Sequence, residues 1–433
     1  MYKDRTVERP YRFHVLGFAH LPVNDIYNSC AYTQKIIKFC KMMLSLGHEV
    51  YVYGAEGSNV PCTEFIETHK LSDIRWAWGD YGNDKEIGYD WRNSAGFRVE
   101  RNDEKTIRVF GRMAETMKIE IKKRARPDDF LCLTQGEYHK QVADYVKLFL
   151  TVETGIGYMS SYANFRAFES AMLQNYTYGV EDLKNKDSKG ASSGKTGLGK
   201  FYDRVIPNFF DPTQFDATQP KKDYLLFCGR IIAGKGVHIA IELAKKLKYK
   251  LIIAGQGSNE ITIAPEDRKY VKVVGYANIK KRKKLMAEAR GFIYPTIYRE
   301  PFGGSIVEAM LSGCPVLTTN FGAFPEIVQN GINGFRCDTF QDFVDGAKRI
   351  IAKEFEEPVK KYLVLHLADK YLMDSVKWEY QKWFDELYDL YTGTRSVAKA
   401  LKAKGIDITT ATKEQILEVG KDMQDKVWYR LHE

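Results

Sequence analysis

The stretch DYLLFCGRIIAGKGVHIAIELAKKLKYKLIIAGQG, Asp223 to Gly257, decides the fold. Two buried-strand patterns, DYLLFCGR and KLIIAGQG, flank one amphipathic helix pattern, VHIAIELAKKL. Strand, helix and strand in that order make a right-handed parallel unit, since only that hand packs the helix back onto the sheet. The alternation continues downstream. VKVVGYA, GFIYPT and CPVLTTN read as strands, and KKLMAEAR and SIVEAMLSG as helices. A doubly wound domain is the expected outcome.

The same pattern stands upstream. FHVLGFAHL (Phe13 to Leu21) reads as a buried strand ending in a loop, and CAYTQKIIKFCKMMLSLGHEV as a helix, a Gly-His turn and the start of a second strand, VYVYG. FLCLTQGEYH and LFLTVETGIGY read as later buried strands, and Phe165 to Tyr178 as an aromatic-rich helix. A chain of 433 residues exceeds one core, so two domains are expected. The sequence predicts an α/β protein of two Rossmann-like, doubly wound domains facing across a cleft. The expected boundaries are 1–205 for the first domain and 206–373 for the second. A helix at 374–393 then crosses back, and 394–433 forms a basic helical extension. IPNFFDPTQF (Ile206 to Phe215) is the expected hinge.

Composition narrows the classes. Hydrophobic residues make up 44% and aromatics 13%, which excludes a disordered chain. The net charge of +9 permits an anionic partner without requiring one. The seven cysteines are scattered and never in CxxC spacing, so neither a zinc site nor a disulfide framework is expected. The polar start MYKDRTVERPYR is not a signal peptide, and no apolar run reaches spanning length. The expectation is a cytoplasmic protein, with peripheral membrane contact left open. GASSGKT, inside the polar stretch 181–200, lacks one residue of a phosphate-binding loop and follows no strand, so an exposed loop is expected there.

The candidate site lies at the strand ends, where doubly wound sheets bind ligands. REPFGGSIVEAM places Glu300 at a loop mouth and Glu308 in the first turn of the next helix. Gly303 and Gly304 allow close backbone approach, and the helix beginning near Ser305 turns its free N–H groups toward an anion. Paired carboxylates suit vicinal hydroxyls. A ligand with two polyol ends and a phosphate between them, a nucleotide sugar, fits this arrangement. Arg230 and Lys235 follow the strand DYLLFCGR and can grip a diphosphate. Gly255 and Gly257 leave room at a further strand end. The competing reading makes the glutamates helix-capping surface charges and the two cations solvated.

GRIIAGKG, AGQG and YPTIYREPFGGSIVEAMLSGCPVLTTNFGAFPEIVQNGINGF together resemble the C-terminal half of a GT-B glycosyltransferase. They are more narrowly similar to family four, the retaining group with an E-x7-E motif. The similarity is dense from about Ile206 to Phe335. It implies that Glu308 binds the donor ribose, that Glu300 and the backbone at Phe302 to Gly304 hold the transferred sugar, and that Arg230 and Lys235 stabilise the departing diphosphate. Tyr276 would lie near the base. It further implies a nucleotide-diphosphate sugar donor, UDP-sugar favoured and GDP- or ADP-sugar also allowed, and retention at the anomeric carbon. The chain has no D-x-D motif, so a metal-independent reaction is expected.

The first domain departs from the family pattern. Asn28, Ser29 and Cys30 stand where relatives carry a Gly-Gly pair, and TVETGIGY offers Glu153 where relatives carry a His. Glu153 is a candidate base or acceptor contact, alternatively a satisfied strand-end carboxylate. His20 and His139 are the nearby histidines. A glycan or glycolipid is the expected acceptor. A modified nucleic-acid base is the alternative, with the 181–200 loop, the basic run at 280–284, Arg124, Arg126 and the tail tracking phosphates. A non-catalytic nucleotide-sugar-binding protein and a sugar-nucleotide epimerase are the remaining alternatives.

Overall fold

The computed structural model describes residues 6–79, 91–92, 97, 101–184, 199–258, 261–355, 357, 359, 362, 366–408 and 410–419. The GASSGKT stretch lies outside these residues.

The first sheet comprises β1 (Arg12–Leu16), β2 (Glu49–Ala55), β3 (Glu64–His69), β4 (Phe130–Leu133), β5 (Thr151–Ile156), β6 (Phe165–Phe168) and β7 (Arg204–Val205). Its seven strands run in the order β3-β2-β1-β4-β5-β6-β7. Helices α1 (Ala31–Ser45), α2 (Leu71–Trp78), α3 (Glu104–Arg124), α4 (Lys140–Val146) and α5 (Ala171–Lys184) connect them. The second sheet comprises β8 (Lys222–Cys228), β9 (Leu251–Ala254), β10 (Val271–Gly275), β11 (Ala289–Tyr294), β12 (Val316–Thr319) and β13 (Gly334–Cys337), ordered β10-β9-β8-β11-β12-β13. Its helices are α6 (Val237–Leu247), α7 (Ile279–Glu288), α8 (Gly304–Leu311), α9 (Phe324–Ile327) and α10 (Phe340–Ile351). The paired strands of both sheets run parallel, and strands such as β4 (FLCL) and β12 (VLTT) are buried on both faces.

The order of each sheet reverses between its first and fourth strands. These switch points leave a crevice outside the carboxyl ends of the strands. In the second domain the reversal falls between β8 and β11, which pair directly. The loops carrying Arg230 and Glu300 follow those two strands and are therefore brought side by side.

Two elements differ from expectation. Phe165 to Phe168 is strand β6, paired with β5 and β7, and the helix begins only at Ala171. A four-residue strand buried on both faces is too short to be told from helix by periodicity. The return helix is the second difference. After α11 (Ala368–Tyr371), helix α12 runs unbroken from Met373 to Ala403, past the expected end at 393. Tyr380, Trp383, Phe384, Leu387 and Leu390 bury its inner face in the core of the first domain. The extension continues as α13 (Lys413–Val419), where Ile416 packs on Val397 and Leu401 of α12.

The two crossings between domains run together. Phe210 N donates to Tyr371 O at 2.9 Å, and Met373 N donates to Phe210 O at 3.0 Å. The expected hinge at Pro207 to Pro212 is thus stitched to the start of the return helix.

Candidate active site

A cavity of about 330 Å³ opens between the domains at the strand ends. Its second-domain wall includes Arg230, Lys235, Gly255, Tyr276, Glu300, Phe302, Gly303, Gly304, Ser305 and Glu308. The geometry brings together the donor-side residues expected from sequence except Gly257, and the first-domain candidate Glu153 is not part of the wall either.

Gly303 caps α8 with φ +89, a left-handed conformation that an L side chain resists. A Cβ there would meet Phe324 Cε1 at 2.5 Å. The turn places the backbone N–H groups of Gly304 and Ser305 at the cavity, the arrangement that favours an anion. Phe302 turns its ring into the core, stacked on Phe210 at 6.4 Å, so its backbone faces the site. Gly255 is fixed by crowding: a Cβ would lie 1.7 Å from Gly229 O, where the ends of β8 and β9 approach.

The two glutamates hold different partners. Glu300 is buried and paired with the ammonium of Lys235. Burial lowers the Lys235 pKa, and the Glu300 carboxylate offsets part of that shift. The same ammonium lies 4.4 Å over the Tyr298 ring. Arg230 stands exposed at the cavity mouth. Glu308 does not lie in the first turn of its helix. It is the fifth residue of α8, buried one turn deeper, and Arg282 Nε approaches its carboxylate at 3.2 Å. Arg282 belongs to the basic run of α7, which sequence reading assigned to solvent or nucleic acid. One member of that run therefore faces inward. Only the placement of α7 against α8 reveals which.

Tyr276 lies at the far end of the cavity, half-buried, with its ring 5.0 Å from the first-domain Trp91 in a T-shaped contact. Gln256 Nε2 donates to Trp91 O at 2.8 Å. These contacts tie this end of the cavity to the first domain.

Glu153 has a different place from the one expected. It is fully buried, accepting from Tyr158 Oη at 2.6 Å, Tyr162 N at 2.8 Å and Ala163 N at 3.0 Å. Burial raises its pKa, and those hydrogen bonds oppose the shift. It anchors the 158–163 loop, the satisfied strand-end alternative. His139 is likewise turned inward, with Nε2 2.8 Å from Gly17 O, and His20 is buried between Phe18 and Trp78. Neither histidine lines the cavity.

The first-domain wall contains residues that sequence reading missed. Lys35 and Lys38 sit one helical turn apart on α1, within the run KIIKFC. Lys35 Nζ donates to Gly155 O at 2.8 Å and pairs with Glu169 at 2.8 Å. The signal was present: two lysines interrupt an otherwise apolar helix face. The rim is closed by contacts across the cleft. Ser170 Oγ donates to Pro301 O at 2.5 Å, and the Glu326 carboxylate accepts from Ala171 N at 2.9 Å and Met172 N at 2.8 Å.

The chain's likeness to known proteins agrees with this geometry. Residues 211–363 match the family model for glycosyl transferases group 1. An uncharacterised glycosyltransferase of Methanocaldococcus jannaschii is 30% identical over 155 residues, covering 30% of this chain and 40% of that one. The glycogen synthase of Mycobacterium tuberculosis is 29% identical over 189 residues, 40% of this chain and 45% of that one. The chain thus spans less than half the length of these relatives. Among solved structures, Anabaena HepE in complex with UDP and glucose superposes with a TM-score of 0.57, at 14% identity, over 86% of this chain and 98% of that one. The sucrose-phosphate synthase of Thermosynechococcus elongatus gives 0.58 at 14% identity over 87% and 99%. The fold is the GT-B fold, and the family match falls within the second half of the chain. No helix among the described residues is long and apolar enough to cross a membrane.

Proposed function

We propose that the protein is a retaining, metal-independent glycosyltransferase that moves a hexose or similar sugar from a nucleotide-diphosphate sugar to an acceptor hydroxyl. The observation that carries this reading is the convergence of Glu300, Glu308, Lys235, Arg230 and the α8 N-terminus on one cavity at the switch point of the second sheet. A UDP-sugar is the favoured donor, since the similarly folded HepE was crystallised with UDP and glucose.

In this reading Glu308 takes the ribose hydroxyls, with Arg282 beside its carboxylate. The part of the cavity beside Tyr276 takes the base. The backbone of Gly303 to Ser305 meets the diphosphate, and Glu300 holds the sugar. When the anomeric C–O bond breaks, negative charge grows on the leaving diphosphate, where Lys235, Arg230 and the helix N-terminus stabilise it. The acceptor oxygen bonds to the same face of the anomeric carbon, and its proton passes to the departing phosphate oxygen. Both electrons of the broken bond leave with the diphosphate. The acceptor enters over the first-domain wall at Gln34, Lys35, Gly157 and Glu169, a polar surface suited to a hydroxyl-rich glycan or glycolipid head.

The test is nucleoside-diphosphate release from a panel of nucleotide sugars, assayed with an extract of glycans and glycolipids. One donor is expected to be consumed. Lys235→Ala is expected to lower the rate by about 100-fold or more, the usual cost of removing a preorganised charge partner. Full turnover in that variant would contradict the assigned role.

A further inference from the structure

Charged side chains lining the cavity divide into pairs and a remainder. Lys35 pairs with Glu169, Lys235 with Glu300, and Arg282 with Glu308. Among the described residues lining the cavity, two cations are left without a carboxylate: Arg230 from the second domain and Lys38 from the first. The remainder is therefore two positive charges, one from each side of the cleft.

Lys38 is the less expected of the two. It is only 5% exposed. Its ammonium donates to Phe209 O at 2.7 Å and lies 4.9 Å over the ring of Phe210. An ammonium carries three donors, so one bond to the hinge leaves two N–H groups for whatever fills the cavity. A Cβ on Gly304 would lie 3.7 Å from that same Phe210 ring. Lys38 and the N-terminus of α8 thus flank one phenyl ring and face one space. A buried cation with spare donors beside a helix N-terminus is a site for a multiply charged anion.

We propose that the donor's diphosphate is held across the cleft, with Lys38 of the first domain completing the charge that Arg230 supplies from the second. This rests on the nucleotide-sugar reading given above. It makes Lys38 a phosphate contact rather than a spacer in the hinge. Burial pushes the Lys38 ammonium down to about 8. Glu308 and Glu169 draw it up, while Lys35 and Arg282 press it down. A bound diphosphate would hold the proton on. Affinity should therefore fall as pH rises from about 8 to 9.5, and Lys38's share of that fall should vanish with the residue. Lys235, also lowered, accounts for the slope that remains.

The experiment is calorimetric titration of UDP, GDP and ADP, and of uridine, guanosine and adenosine, into the wild type and Lys38→Met. Methionine fills the same volume without charge, and an unchanged melting temperature verifies its fold. The variant is expected to bind the preferred diphosphate about tenfold or more weakly, with nucleoside affinity within twofold of wild type and a shallower pH slope. Equal loss for nucleoside and diphosphate would make Lys38 a structural residue and overturn the proposal. Unchanged diphosphate affinity would overturn it while leaving the donor site intact. If the wild type binds none of the three diphosphates, the donor reading itself fails, and this proposal with it.

Discussion

Glu300, Glu308, Arg230 and Lys235 were legible because each stands at a fixed offset from a strand end, and strand ends in a doubly wound sheet converge. Arg282 and Lys38 were not, because their places at the cavity depend on how helices face one another, which spacing alone does not give. The histidines show the same limit from the other side. His20 and His139 lie near the right loops in sequence, yet both rings are buried in the first domain. Desolvation pushes His20 down to about 3, with His69 adding to the shift, and His139 down to about 4. An unfolded histidine takes up its proton near 6.5. Below that pH the unfolded chain binds protons that the folded chain refuses. Stability should fall as pH drops from 6.5 toward 4, by up to about 1.4 kcal/mol per pH unit for each ring. His20→Leu should flatten this dependence in urea unfolding; an unchanged slope would place the acid sensitivity elsewhere.

At the scale of elements, the strict alternation of the second domain was readable because its strands are continuous apolar runs and its helices carry a clear apolar stripe. β6 was misread because four buried residues have no period to show. The expected break at residue 393 failed because buried apolar positions continue through Val397 and Leu401, which pack on α13. The turn into α8 has a sharper requirement. Gly303→Ala must place a side chain at φ +89 against the ring of Phe324. A loss of roughly 1–3 kcal/mol is expected, together with weakened nucleotide binding, read by thermal melting with and without ligand. A variant that melts and binds like wild type would show that the glycine turn is not required. In α12, Trp383 is buried and donates to Tyr202 O at 2.7 Å. Trp383→Ala should cost about 3–5 kcal/mol in urea unfolding. A cost under about 1 kcal/mol would mean that the return helix does not help hold the first domain.

Across the whole molecule, the domains meet at a stitched hinge on one side and a hydrogen-bonded rim on the other. The rim is light. Glu326 is exposed, and its bonds to the N-terminus of α5 are the kind that contribute about 0.3–1 kcal/mol at a surface. Such a contact can open and close as ligands exchange, and closure of a cleft excludes water from its contents. Glu326→Ala should leave the melting temperature nearly unchanged while raising the radius of gyration in small-angle scattering; identical scattering would show that this contact does not hold the rim. The two-domain plan was legible from length and alternation, whereas the first-domain wall of the cavity was not. That wall is assembled from α1, the loop after β5 and the end of β6, and no local motif marks it.

The most direct test of the donor site is a crystal structure of the protein grown with UDP, GDP or ADP in the presence of EDTA. One nucleotide is expected in the cleft, with its ribose hydroxyls on Glu308, its diphosphate at the backbone of Gly303 to Ser305 and its base beside Tyr276. A nucleotide bound elsewhere, or none bound at millimolar concentration, would contradict it.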